Sequence, residues 1–140
     1  VVPTLVNIQT FPNIAARAEA KYPVYAAHMR SLHQRHVDTV GKAVDAGVPV
    51  YAGTDAGGTI AHGQIPTEIR LLSQLRDPLF GLGAASWRAR SWLTGDQAAA
   101  GLGVGAAADL LVLDADPRRD VTAIAHPTFV VLRGRVLRDR

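Results

Sequence analysis

Apolar and polar positions in this chain follow two different periods. Between residues 23 and 46, Met29, Leu32, Val37, Val40, Ala43 and Val44 project onto one broad face of a helix, while Arg35, Asp38, Lys42 and Asp45 project onto the opposite one. Pro23 suits the first turn, where a missing N–H costs nothing, and Gly47 suits a left-handed stop. A second helix is predicted from Pro66, carrying Ile69, Leu72 and Leu75. A third is predicted from Asp77 as cap and Pro78 as first residue, through Trp87 to about Leu93.

Two apolar runs lack this spacing. VVPTL, at residues 1–5, reads as a short strand at a sheet edge, because Pro3 has no N–H to donate. VPVYAGTD, at residues 48–55, alternates poorly, as a strand buried on both faces does. Residues 7–21, which include Pro12, read as a loop between the first strand and the long helix. Strand, helix, strand, helix is the order of a parallel α/β sheet. After Thr94 the texture changes to GDQAAAGLGVGAAAD, a Gly/Ala-rich loop, followed by two β runs, DLLVLDAD and FVVLRGRVL. The second is expected to fold back at Arg133-Gly134-Arg135 in a tight turn, which makes this end a small β module.

Composition narrows the classes. A chain of 140 residues can enclose one real core, but this one begins at Val1 and opens directly on a strand-like run, so it is expected to be cut from something longer. It has no cysteine, so disulfides and thiolate metal sites are excluded and any metal must be held by His, Asp or Glu. The formal charge of +3 comes from arginines that are densest over residues 118–140 and lack interleaved aromatics, a solvated surface rather than a nucleic-acid face. No apolar run approaches the roughly 20 residues of a membrane span, and a cytoplasmic protein with no membrane partner is the expectation.

Four constellations could carry chemistry. Asp55 ends an apolar strand, where parallel α/β folds put their active sites; on spacing alone a turn residue in a glycine-rich connection is the better reading of it. Asp114-Ala115-Asp116 after LLVL is similar to the nucleophile motif of haloacid-dehalogenase-type phosphatases, which would use Asp114. That motif needs a downstream lysine, and the remaining residues contain none, so an Asp-Pro turn is the better reading. Gly101-x-Gly103-x-x-Ala106 matches the dinucleotide fingerprint formally but is followed by a strand instead of a helix. His33 and His36, three apart on the long helix, have no acidic third ligand on their face and read as histidines packed against the sheet.

In order along the chain, VVPTL, AGVPVYAGTDAGG with HG soon after, GAAADLLVLDADPRRD and VVLRGRVL resemble the C-terminal third of amidohydrolase-superfamily metal-dependent hydrolases, of the imidazolonepropionase-like and dipeptidase-like kind. The resemblance implies the last strands and helices of a (β/α)8 TIM-like barrel over residues 1–95, with VVPTL as seventh strand and VPVYAGTD as eighth. Over residues 96–140 it implies C-terminal strands of a small composite β-sandwich domain. It also implies hydrolysis of carbon–nitrogen bonds in amides, lactams or dipeptide-like molecules by a metal-activated water. Asp55 matches the family's last-strand aspartate, a metal ligand that also handles protons, and His62 matches a histidine bordering the substrate pocket. The cofactor implied is a divalent metal, zinc foremost, as one or two ions.

No His-x-His motif occurs here, and one carboxylate cannot hold a catalytic zinc, which takes three protein ligands. The remaining ligands are expected from a missing N-terminal part of the barrel or from other chains, and the isolated 140 residues are expected to be inactive. The alternative is a non-catalytic α/β binding or scaffold module.

Overall fold

The computed structural model describes residues 1–96 and 101–139. The predicted long helix, α3 (Pro23–Asp45), is there, with Pro23 in its first turn and Gly47 left-handed at φ 77. Its charged face is solvated, and Lys42 and Asp38 pair at 2.8 Å. Its apolar face is covered only in part. Met29 and Val44 are buried, whereas Leu32 and Val37 are exposed. The reason is length: a 23-residue helix runs about 35 Å, and its neighbours reach only portions of it. Ala15 packs with Ala26 and Met29, while Leu5, Val50, Leu72 and Ala84 gather around Val44.

The stretch read as a loop, residues 7–21, is mostly helical. The helices are α1 (Leu5–Ile8) and α2 (Phe11–Ala18). Pro12 lies in the first turn of α2, where a helix tolerates it. The signal was the spacing of Phe11, Ile14, Ala15 and Ala18, which all pack into the cluster around Met29.

Neither apolar run, at 1–5 or at 48–55, forms the regular strand expected of it. Both are extended and meet at one parallel bridge: the Val1 amino group donates to the Pro49 carbonyl at 2.7 Å, and the Tyr51 N–H donates to the Val1 carbonyl at 2.9 Å. One residue further, the Ala52 N–H donates to the Ala84 carbonyl at 2.9 Å. A strand of a parallel sheet needs a ladder along its length, and among the described residues these segments find a single bridge. Leu5, the last residue of the expected first strand, instead begins α1 and is buried.

The predicted helix from Pro66 is α4 (Ile65–Ser73), with Ile69 and Leu72 buried. Asp77 caps the next helix as expected, its carboxylate accepting from the Phe80 N–H at 2.7 Å. That helix is not continuous. It divides into α5 (Pro78–Ala85) and α6 (Trp87–Thr94) at Ser86, whose backbone leaves the helical region at φ −131 and ψ −103. The Ser86 hydroxyl donates back to the Leu82 carbonyl, a bond that competes with continuation of the helix. Where α5 crosses α4, Gly81 lies against the backbone of Ile69 and Ser73.

The β module is a three-stranded antiparallel sheet in the order β1 (Leu110–Val112), β2 (Phe129–Leu132), β3 (Arg135–Asp139). Its tight turn occurs where expected: Arg133 and Gly134 both have positive φ, 51 and 76, the type I′ geometry that suits strand twist. Asp109 ties the turn to α6, accepting from the Arg133 N–H at 2.7 Å and pairing with Arg90 at 3.1 Å. Of the predicted Gly/Ala-rich loop, residues 97–100 lie outside the described residues.

Candidate active site

The extended segments at residues 1–4 and 48–55 end side by side, and each ends in a left-handed residue. Thr4 has φ 48 and Asp55 has φ 52. Outside glycine such backbones are uncommon, and they persist where the surroundings hold them and where a side chain must be aimed. The two are in contact. Asp55 Oδ2 accepts from the Thr4 hydroxyl at 3.3 Å and from the Asn7 amide at 3.3 Å. Among the described residues nothing is hydrogen-bonded to Oδ1, and the side chain stands exposed. One carboxylate oxygen is therefore held by the chain and the other is presented.

His62 lies on the same loop. Gly57, left-handed at φ 112, donates its N–H to the Ile60 carbonyl at 3.1 Å, and this turn folds the chain back. The His62 ring then covers Gly57, its Cε1 3.5 Å from where a Cβ on that glycine would stand. Of the polar residues that follow the first segment, Asn7 joins Asp55, while Gln9 is turned to His36 at 3.1 Å.

Sequence reasoning missed Glu68. It is fully buried, and its two oxygens accept from the Leu5 N–H at 3.0 Å and the Val6 N–H at 2.7 Å. Burial pushes its carboxyl above the ordinary range, the two amide bonds pull against that, and the neighbouring Asp55 carboxylate adds to the rise. A signal for it existed. Glu68, Leu72 and Leu75 are spaced i, i+4, i+7, which puts an acid on the apolar stripe of its helix.

The remaining candidates resolve into structure. Asp114 accepts from the Thr128 hydroxyl at 2.6 Å. Asp116 opens the expected turn, its carbonyl accepting from the Arg119 and Asp120 N–H groups, and its carboxylate grips the Arg118 guanidinium at 2.7–3.1 Å. The Arg118 side chain and N–H hold the Asp116 carboxyl down at about 2. The sign follows: this pairing adds stability above the ordinary value near 3.8 and loses it as pH falls through about 2. A carboxyl titration followed by carbon NMR is expected to place Asp116 at about 2. Arg118→Ala should move it up, and only part of the way, because the N–H of residue 118 still bonds Oδ1.

His33 and His36 face each other at 5.1 Å between ring centroids, in a partly exposed position on α3. Gly101 to Ala106 is loop, not the start of a helix. Among the described residues no three His, Cys, Asp or Glu side chains converge as metal ligands, and no helix is long and apolar enough to cross a membrane.

No family model matches the sequence. Uncharacterized proteins of Mycobacterium tuberculosis and Mycobacterium bovis are each 50% identical to it over 135 residues, 96% of this chain and 35% of theirs. The chain thus spans about a third of the length of the curated relatives it matches. Among solved structures, a prolidase complexed with N-methylphosphonate-L-proline superposes with a TM-score of 0.79 at 27% identity, over 100% of this chain and 35% of that one. A Xaa-Pro dipeptidase with methionine in its active site gives 0.80 at 21% identity, over 96% and 33%. The A. niger ochratoxinase gives 0.75 at 24% identity, over 99% and 32%; these last two likenesses concern the fold alone. In fold, then, the chain is similar to the C-terminal portion, about one third, of hydrolases of this kind.

Proposed function

We propose that this chain is the C-terminal part of a metal-dependent hydrolase of amide or peptide carbon–nitrogen bonds, and that Asp55 stands at its reacting centre. The observation that carries this reading is the held-and-presented carboxylate: Oδ2 is fixed by Thr4 and Asn7, and Oδ1 is left for another partner. The likeness to a prolidase solved with a proline phosphonate supports the hydrolase class. In this reading residues 1–4 and 48–55 are the seventh and eighth strands of a (β/α)8 barrel, and β1, β2 and β3 belong to a small β-sandwich. Residues 1–95 and 96–140 are the respective portions, and the strands that would give the bare edges their ladders come from the rest of a longer or assembled protein.

Asp55 fits a divalent cation as one ligand, with the others supplied from beyond this chain, since a catalytic zinc takes three protein ligands. When bound, such an ion lowers the pKa of a coordinated water towards about 7. Asp55 would then take the proton of the attacking water as its oxygen bonds the carbonyl carbon, and would return that proton to the nitrogen as the carbon–nitrogen bond breaks. Thr4 and Asn7 keep the carboxylate from rotating away from this task. His62, beside the same glycine loop, borders the substrate, and a dipeptide-like molecule with C-terminal proline is the class to try first.

The test is the intact protein assayed on a panel of Xaa-Pro dipeptides and N-acyl amino acids. Turnover that disappears with a chelator and returns with Zn²⁺ is the expected outcome. Hydrolysis unaffected by prolonged chelation, or none with any metal, would sink the reading.

A further inference from the structure

We infer that Glu68 is a positioning residue for the Asp55 carboxylate, acting through the first turn of α1; this rests on the role proposed above for Asp55. Helix α1 is four residues long, a single turn that cannot hold itself in place. Its direction is set by whatever grips its ends. At its N-terminus the usual grip is the cap residue's own side chain, yet Thr4 makes no such bond. The Thr4 hydroxyl goes to Asp55 Oδ2 instead, and Asn7, in the same turn, reaches the same oxygen.

The vacated capping task is done from another element. Glu68, on α4 and more than 60 residues away in the sequence, gives one carboxylate oxygen to the Leu5 N–H and the other to the Val6 N–H. It is fully buried while doing so, and so is Leu5. A buried carboxylate is a costly cap where a threonine hydroxyl stands ready. The arrangement makes sense if the hydroxyl is needed elsewhere. Glu68 clamps the turn, the clamped turn aims Thr4 and Asn7, and these two fix which oxygen of Asp55 is presented. Outer groups that orient a ligating carboxylate are commonly worth 10–100-fold in metal affinity.

The experiment is calorimetric titration of Zn²⁺ alone into the intact, metal-free protein. Asp55→Asn is measured first and is expected to weaken binding at least about 10-fold; Glu68→Gln is expected to weaken it by about 10–100-fold. The double substitution Thr4→Val/Asn7→Leu, which cuts the link and leaves Glu68 in place, is expected to weaken it comparably. Adding Glu68→Gln to that pair should lower affinity no further. A generally structural role would instead give effects that add. Unchanged affinity in Glu68→Gln beside lowered affinity in Asp55→Asn overturns the inference alone, as do additive effects. Unchanged affinity in Asp55→Asn overturns the role of Asp55 itself. Should Glu68→Gln fail to fold, the Thr4→Val/Asn7→Leu protein decides: parental affinity there overturns the inference.

Discussion

Asp55→Asn in the intact protein is expected to lower kcat by about 10²–10⁴-fold, the range that a positioned acid–base group supplies, with thermal stability almost unchanged. The substitution suits the question for a backbone reason. Asp55 sits at φ 52, and asparagine tolerates the left-handed region at least as well as aspartate, so the loop keeps its course. The side chain is exposed, so the fold does not depend on its charge. Its contacts to Thr4 and Asn7 are side-chain hydrogen bonds that an amide oxygen can still accept. What is lost is the negative charge and the proton affinity. Asp55→Ala would confound these, because alanine strains a left-handed backbone. If Asp55→Asn kept kcat within a factor of three, Asp55 would be a turn residue in a glycine-rich connection. The scaffold-module alternative would then be the better description.

A second large effect is expected at Gly81, on stability rather than catalysis. A Cβ there would overlap the Ser73 hydroxyl and the Ile69 carbonyl oxygen and would lie 3.0 Å from the Ser73 backbone N. The Ser73 hydroxyl can turn away, at the expense of its bond to the Ile69 carbonyl at 2.8 Å; the two backbone atoms cannot. Gly81→Ala should therefore push α5 off α4 and loosen the cluster of Leu72 and Ala84 behind it. About 3 kcal/mol is expected, the upper part of the range for overpacked cores, read as a lower urea midpoint at unchanged slope. Gly58→Ala is the control. Nothing lies within 4 Å of the Cβ it would add, and its φ is unexceptional, so its midpoint should match the parent. Equal midpoints for the two variants would show that the crossing has slack.

Local chemistry and periodicity made much of the molecule legible. Pro23 and Gly47 bracket α3, Asp77 and Pro78 start α5, and Arg133-Gly134-Arg135 inside an apolar run marks a tight hairpin. Each is settled within a few residues of itself. The same logic misread residues 7–21, where Pro12 suggested a loop although an i, i+3, i+4 apolar set surrounds it. It also misread residues 78–93, because the break at Ser86 depends on where α5 and α6 must pack.

What sequence alone determined, then, are the elements whose stabilising contacts are near neighbours: helix ends, the hairpin, and the solvated polar face of α3. Asp55 could be marked as a candidate from its place after an apolar run, but not told apart from a turn. Only tertiary structure decided that Thr4 and Asn7, about 50 residues away, share its Oδ2, and that Glu68 caps a helix it does not belong to. The physical reason is the same in both cases. A buried or aimed polar group must find a hydrogen-bond partner, and that requirement names a kind of atom without naming its residue, so the partner is fixed only when the chain has folded and brought one within reach.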